Sequence, residues 1–165
     1  MADYNLNCSL ALPYPPIVPT KLNRYDAQML KALLAGTLCN INEYITQSIV
    51  FADLYPHFAD IMDCIATGEA LHFKLLLKLL LLSGEKWDMP GTASFCRKTN
   101  KRREQRYTPV LVTADNIERE KMYISDIKLV LSQLYSEEAK QLLERMLLEK
   151  EHHIGILSEL SLRYM

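Results

Sequence analysis

Apolar residues recur along most of this chain at steps close to one helical turn, and the exceptions divide it into segments. The first 23 residues carry Pro13, Pro15, Pro16 and Pro19. Proline lacks an amide proton and fixes its own backbone, so this arm is expected to be extended rather than helical. From about Arg24 the pattern turns helical. Met29, Leu33, Gly36, Glu43, Val50 and Leu54 mark the face of a helix A over 24–52. Tyr55-Pro56 breaks it, and proline suits the first turn of a helix B over 56–83. Phe58, Ile61, Ile65, Leu76 and Leu79 form the face of helix B, and Ser83-Gly84 ends it as a glycine C-cap does.

Residues 84–112 show no helical period and contain Gly84, Pro90, Gly91 and Pro109. So long a connector needs a reason. A crossover between the second and third helices of a four-helix bundle supplies one. Helix C is expected from Thr113 or Asp115, with Ile117, Glu120, Ile124, Ile127, Leu131 and Leu134 on its face. Helix D is expected after Ser136, an N-cap followed by Glu137 and Glu138, and to run to about Arg163. Its face is Leu142, Met146, Glu149, His153, Ile156 and Leu160. Four long helices with no strand pattern give an all-α, antiparallel four-helix bundle over 24–165, preceded by the arm 1–23.

Composition narrows the function classes. The 165 residues fit one domain, and a net charge of −1 offers no general attraction to nucleic acid or to an anionic membrane. The six basic residues between Arg97 and Arg106 read as a solvated loop. Leu75 to Leu82 is interrupted by Lys78 and is too short to span a bilayer. No basic start with an apolar run opens the chain, so no signal peptide is expected. Cys8, Cys39, Cys64 and Cys96 form no Cys-x-x-Cys pair and read as free thiols of a cytoplasmic protein. Leu75, Leu77, Leu80, Leu81 and Leu82 exceed what one helix face of a monomer needs, so a homodimer or larger homo-oligomer is expected.

The informative residues are polar ones on apolar faces. Helix B carries Glu69-x-x-His72 and helix D carries Glu149-x-x-His152. At this spacing a carboxylate and an imidazole share one side of a helix. Twelve glutamates and four histidines give roughly 0.3 such pairs by chance, so two of them, each on the second helix of a hairpin, carry weight. Helices A and C add Glu43 and Glu120. Asn40, Glu118 and His153 are the competing inward positions beside Glu43, Glu120 and His152. A lone buried carboxylate is costly, and divalent cations with imidazole ligands would offset the charge of several.

A glutamate on helix A, Glu-x-x-His on B, a glutamate on C and Glu-x-x-His on D resembles the ferritin-like di-iron proteins over residues 25–163, most of all small bacterial rubrerythrin-like ones. The resemblance implies two iron ions, with manganese possible. Glu69 and Glu149 would bridge them, Glu43 and Glu120 would be terminal ligands, and His72 and His152 would each bind one ion. It also implies a di-iron oxidoreductase, a peroxidase or ferroxidase reducing hydrogen peroxide or dioxygen with electrons from an external donor protein. The chain departs from the pattern in placing Tyr123 where rubrerythrins have an extra carboxylate and in the spacing from Ala35-Gly36 to Glu43, and no rubredoxin domain is expected. The alternatives are a metal-binding or iron-storage protein without turnover, a structural interaction module, and a manganese catalase-like protein.

Overall fold

The computed structural model describes residues 8–87 and 107–165. The connector's basic run at 97–106 and Cys96 lie outside them. Among the described residues there are four α-helices and no strand: α1 Arg24–Phe51, α2 Pro56–Leu82, α3 Pro109–Leu131 and α4 Glu137–Tyr164. Each helix is roughly 35–42 Å long at 1.5 Å per residue.

Local chemistry sets the boundaries. The Asn23 side chain accepts from the Asp26 amide at the start of α1, and Ser136 accepts from the Ala139 amide at the start of α4. Gly84, with φ of +83°, follows α2 in the left-handed region that favours glycine. Helix α3 begins earlier than the expected Thr113 or Asp115. Thr108 caps it and Pro109 occupies its first position, so a proline assigned to the connector instead opens a helix, as its fixed φ allows.

α1 and α2 pack as one antiparallel hairpin and α3 and α4 as another. The hairpins meet with α1 antiparallel to α3, because Asp26 accepts from the Ser136 amide at one end while Gln47 and Asn116 bond side chain to side chain near the other. α2 is antiparallel to α4, as Phe58 packs on Tyr164 and Glu69 pairs with Lys150. Two apolar clusters fill the ends of the bundle. One gathers Leu30, Leu34, Leu76, Leu79, Ile127, Leu142 and Met146. The other gathers Phe51, Phe58, Met62, Ile65, Leu157 and Leu160. A polar layer lies between them.

The α2 face falls as the periodicity predicts, and the α3 and α4 faces do so in the main, with Ile117, Leu131 and Ile156 only half-buried; α1 departs further. Its buried residues after Thr37 are Asn40, Tyr44, Gln47 and Phe51, whereas Val50 and Leu54 are exposed. The seam is polar through the middle of α1, so a search for apolar steps slips onto the adjacent positions 43, 50 and 54. On α2, Leu80 is buried in its own bundle and Leu75 and Leu77 pack against the core. That leaves Leu81 and Leu82 exposed from the run expected to form an oligomer surface.

The cysteine expectation is overturned. Cys8 and Cys64 form a disulfide, with Cα atoms 5.9 Å apart, and Cys39 is disulfide-bonded too. Linear spacing gave no sign of this pairing, because the fold folds the arm back on α2. Among the described residues, no helix is long and apolar enough to cross a membrane.

Candidate metal centre

Five charged or imidazole side chains with no solvent exposure meet in the polar layer: Glu69 and His72 from α2, Glu120 from α3, Lys150 and His153 from α4. Each sits where buried positions alternate in steps of four and three. On α2 the seam reads Phe58, Met62, Ile65, Glu69, His72, Leu76, Leu79. On α4 it reads Leu143, Met146, Lys150, His153, Leu157, Leu160. The partner of Glu69-x-x-His72 across the bundle is therefore Lys150-x-x-His153, one residue along from Glu149-x-x-His152.

Lys150 is the hub. Its Nζ lies 2.5 Å from Glu69 Oε1 and 3.0 Å from Glu120 Oε2, and 4.5 Å from the centre of the Tyr123 ring. Burial alone raises the pKa of Glu69, but the Lys150 ammonium, helped by the two imidazoles, holds it well below the usual carboxylate range. Burial likewise pushes Lys150 down, and Glu120 and Glu69 outweigh it, so its pKa is raised and the ammonium is retained. Glu120 Oε1 accepts from Tyr44 at 2.7 Å. Burial and the nearby Glu120 raise the Tyr44 pKa and keep its proton in place.

The imidazoles are less well satisfied. His153 Nδ1 and His72 Nδ1 lie 3.5 and 3.7 Å from Glu69 Oε1, beyond a good hydrogen bond. Among the described residues, His72 Nδ1, both ring nitrogens of His153 and Glu69 Oε2 are buried with no hydrogen-bond partner. Burial lowers the pKa of His72, which favours its neutral, ligand-competent form. His72 Nε2 shares a 2.7 Å hydrogen bond with the Tyr14 hydroxyl, delivered by the N-terminal arm. Backbone room is part of the design: a Cβ on Gly68 would stand 3.3 Å from His153 Nε2.

Of the six sequence-predicted ligands, Glu69, His72 and Glu120 come together. Glu43 is half-buried and faces Arg119 at 3.8 Å, while its neighbours Asn40 and Tyr44 are buried. Glu149 is buried, but its carboxylate accepts from Arg145 at 2.8 Å and from the Leu10 amide at 3.2 Å. His152 is half-exposed and His153 takes the inward place. Sequence reasoning missed Lys150, Tyr44 and Tyr14. The four-and-three seam spacing of α4 carried the signal for Lys150.

Among the described residues, two carboxylates of the set expected for two iron ions converge, Glu69 and Glu120, with the Lys150 ammonium between them. One cation is matched: a carboxylate oxygen from each of Glu69 and Glu120 and a ring nitrogen of His153 lie within 4.8 Å of one another. Arg145 pairs with Glu149 separately. No known family model matches the chain, and no curated protein matches it either.

Proposed function

We propose that this protein is a ferritin-like bundle that binds a single divalent transition-metal ion. Glu69, Glu120 and His153 would hold it, with His72 Nδ1 as fourth donor and Lys150 in the place a second ion takes in two-ion bundles. The observation that carries this reading is the convergence of buried donor atoms from Glu69, Glu120 and His153 within 4.8 Å, with Glu69 Oε2, His72 Nδ1 and the ring nitrogens of His153 buried and without a hydrogen-bond partner. A buried polar atom without a partner costs about 1–3 kcal/mol, and unpartnered atoms on three residues of one layer call for a ligand. The Tyr14 hydroxyl is the outer partner on His72 Nε2 that would turn Nδ1 toward the ion. Mixed carboxylate and imidazole donors suit iron, manganese, cobalt or zinc.

The ferritin-like part of the proposal rests on helix directions. α1 runs one way, α2 and α3 the other, and α4 returns, which is the order of directions found in bundles with a long crossover. Iron or manganese at such a site would supply electron transfer to peroxide or dioxygen. Reducing hydrogen peroxide to water takes two electrons, however, and one ion cycling between adjacent states gives one. The lysine therefore favours metal binding over the two-ion peroxidase that the resemblance implies.

The test is metal content per chain after anaerobic loading with ferrous, manganous, cobaltous or zinc ion. One ion per chain, lost in Glu69→Ala and in His153→Ala but kept in Glu43→Ala and His152→Ala, is the expected result. Two ions per chain would restore the two-ion oxidoreductase. No ion would leave a hydrogen-bonded core network and move the structural interaction module to first place.

A further inference from the structure

The N-terminal arm is not free in this fold. It lies along the seam between α2 and α4, the two helices that supply Glu69, His72, Lys150 and His153, and it is fastened to both in turn. Cys8 is bonded to Cys64 of α2. The Leu10 amide donates to Glu149 of α4 at 3.2 Å, and Arg145 of α4 donates to the carbonyls of Leu10 and Leu12. Tyr14 reaches His72 of α2, and its ring lies 4.3 Å beneath the Arg145 guanidinium. Thr20 donates to Glu138 of α4 at 3.0 Å. No backbone ladder supports the segment. It is neither strand nor helix, and Pro13, Pro15, Pro16 and Pro19 have no amide to donate. Its hold is a handful of polar contacts, some packing, and one covalent bond.

We propose that the Cys8–Cys64 disulfide is a thiol-operated latch, and that the arm is the cover of the buried cluster. A dithiol reductant attacks the disulfide. The S–S bond breaks, two electrons and two protons pass to Cys8 and Cys64 as thiols, and the reductant leaves as its own disulfide. The arm then loses its covalent anchor, Tyr14 withdraws from His72 Nε2, and the α2–α4 seam opens to solvent and small ions. In a thiol-rich compartment such as the cytoplasm the cover would be released; in an oxidising one it stays closed. The consequence for metal exchange rests on the metal-binding reading, whereas the opening itself does not.

The experiment uses the full chain without metal, comparing the oxidised parent, the parent treated with dithiothreitol, and Cys8→Ser. Cys39 is disulfide-bonded as well, so Cys8→Ser isolates this bond from the other, and the reduced parent is the second route should the variant not fold. Amide hydrogen exchange at Leu10, whose amide donates to Glu149, and carbethoxylation of His72 by diethyl pyrocarbonate, are read by mass spectrometry. Release of the latch is expected to raise both by about tenfold or more while the helices keep their protection. Unchanged arm exchange and unchanged His72 labelling in both the reduced parent and Cys8→Ser would overturn the proposal. Zinc uptake measured on the same samples separates the two ideas. An arm that opens on a protein taking up no metal sinks the metal reading alone, and metal bound with equal rates by latched and unlatched protein sinks the cover alone.

Discussion

Lys150→Met is the sharpest perturbation of the polar layer. Methionine keeps an unbranched side chain one atom shorter and deletes the charge. In the parent the ammonium is 2.5 Å from Glu69 and 3.0 Å from Glu120, and all three groups have no solvent exposure. Removing one partner of a buried ion pair costs about 3–5 kcal/mol, because the remaining charge is left without water or counter-ion. For a chain of this length each kcal/mol shifts the melting temperature by about 2–4 °C, so the metal-free variant should melt about 6–20 °C below the parent near neutral pH. Circular dichroism at 222 nm measures it. Excess zinc or cobalt ion should then raise the variant's melting temperature by more than the parent's, since the ion no longer competes with an ammonium for the same oxygens. At a hundred times the dissociation constant, ligand binding alone adds about 2.7 kcal/mol of stability. A metal-free Lys150→Met protein that melts with the parent would refute the electrostatic account of the layer. A destabilised variant that metal does not recover would refute the proposed cation site while leaving the ion-pair network in place.

Lys150→Glu goes a step further by converting Lys150-x-x-His153 into a second Glu-x-x-His on the seam; elemental analysis should find the stoichiometry rise from one ion per chain toward two. Acid should weaken the metal-free protein in two stages. His72 has a folded pKa below its ordinary 6.5, so the unfolded chain binds the proton first and stability falls as pH drops below 6.5; Glu69, held below its ordinary 4.5, adds a second loss beneath that value. Urea titrations between pH 8 and 2.5 measure the slope, and His72→Gln should remove its upper part. Gly36→Ala would set a Cβ 2.9 Å from Tyr123 Cε2, displacing a ring whose hydroxyl donates to the Leu33 carbonyl. A loss of about 1–3 kcal/mol is expected in the same titration.

Most of the helical frame was legible because its signals are local. Pro56, Ser136 and Ser83-Gly84 mark helix ends by chemistry that acts within one turn, and each marks an end in the structure. The face of α2 was legible because its seam is mostly apolar, and those of α3 and α4 were legible at their apolar positions. The face of α1 was not, since Thr37, Asn40, Tyr44 and Gln47 occupy its middle and look like surface residues to any rule that reads hydrophobicity. The docked arm and its disulfide were hidden for a different reason. Nothing near Cys8 in sequence indicates Cys64, and the arm's partners, Arg145, Glu149 and His72, are distant in the chain.

The candidate centre shows how much chemistry a one-residue change of register carries. Both Glu149-x-x-His152 and Lys150-x-x-His153 place two side chains on one side of α4, and the two sets differ by about 100° around the helix axis. The motif spacing cannot separate them. The seam can, because steps of four and three from Met146 reach positions 150, 153, 157 and 160, and those four are buried. Glu149 is buried as well, which makes it persuasive as a ligand, but its carboxylate is turned to Arg145 and the arm. The register that wins places an ammonium where the motif promised a carboxylate. One such exchange moves the local charge by two units, which is the charge of one divalent ion. On the proposed reading, Lys150 stands in for that ion. A buried lysine on the seam of a bundle that gathers glutamates is then a sign of a missing metal, and the motif on its own would count one metal too many.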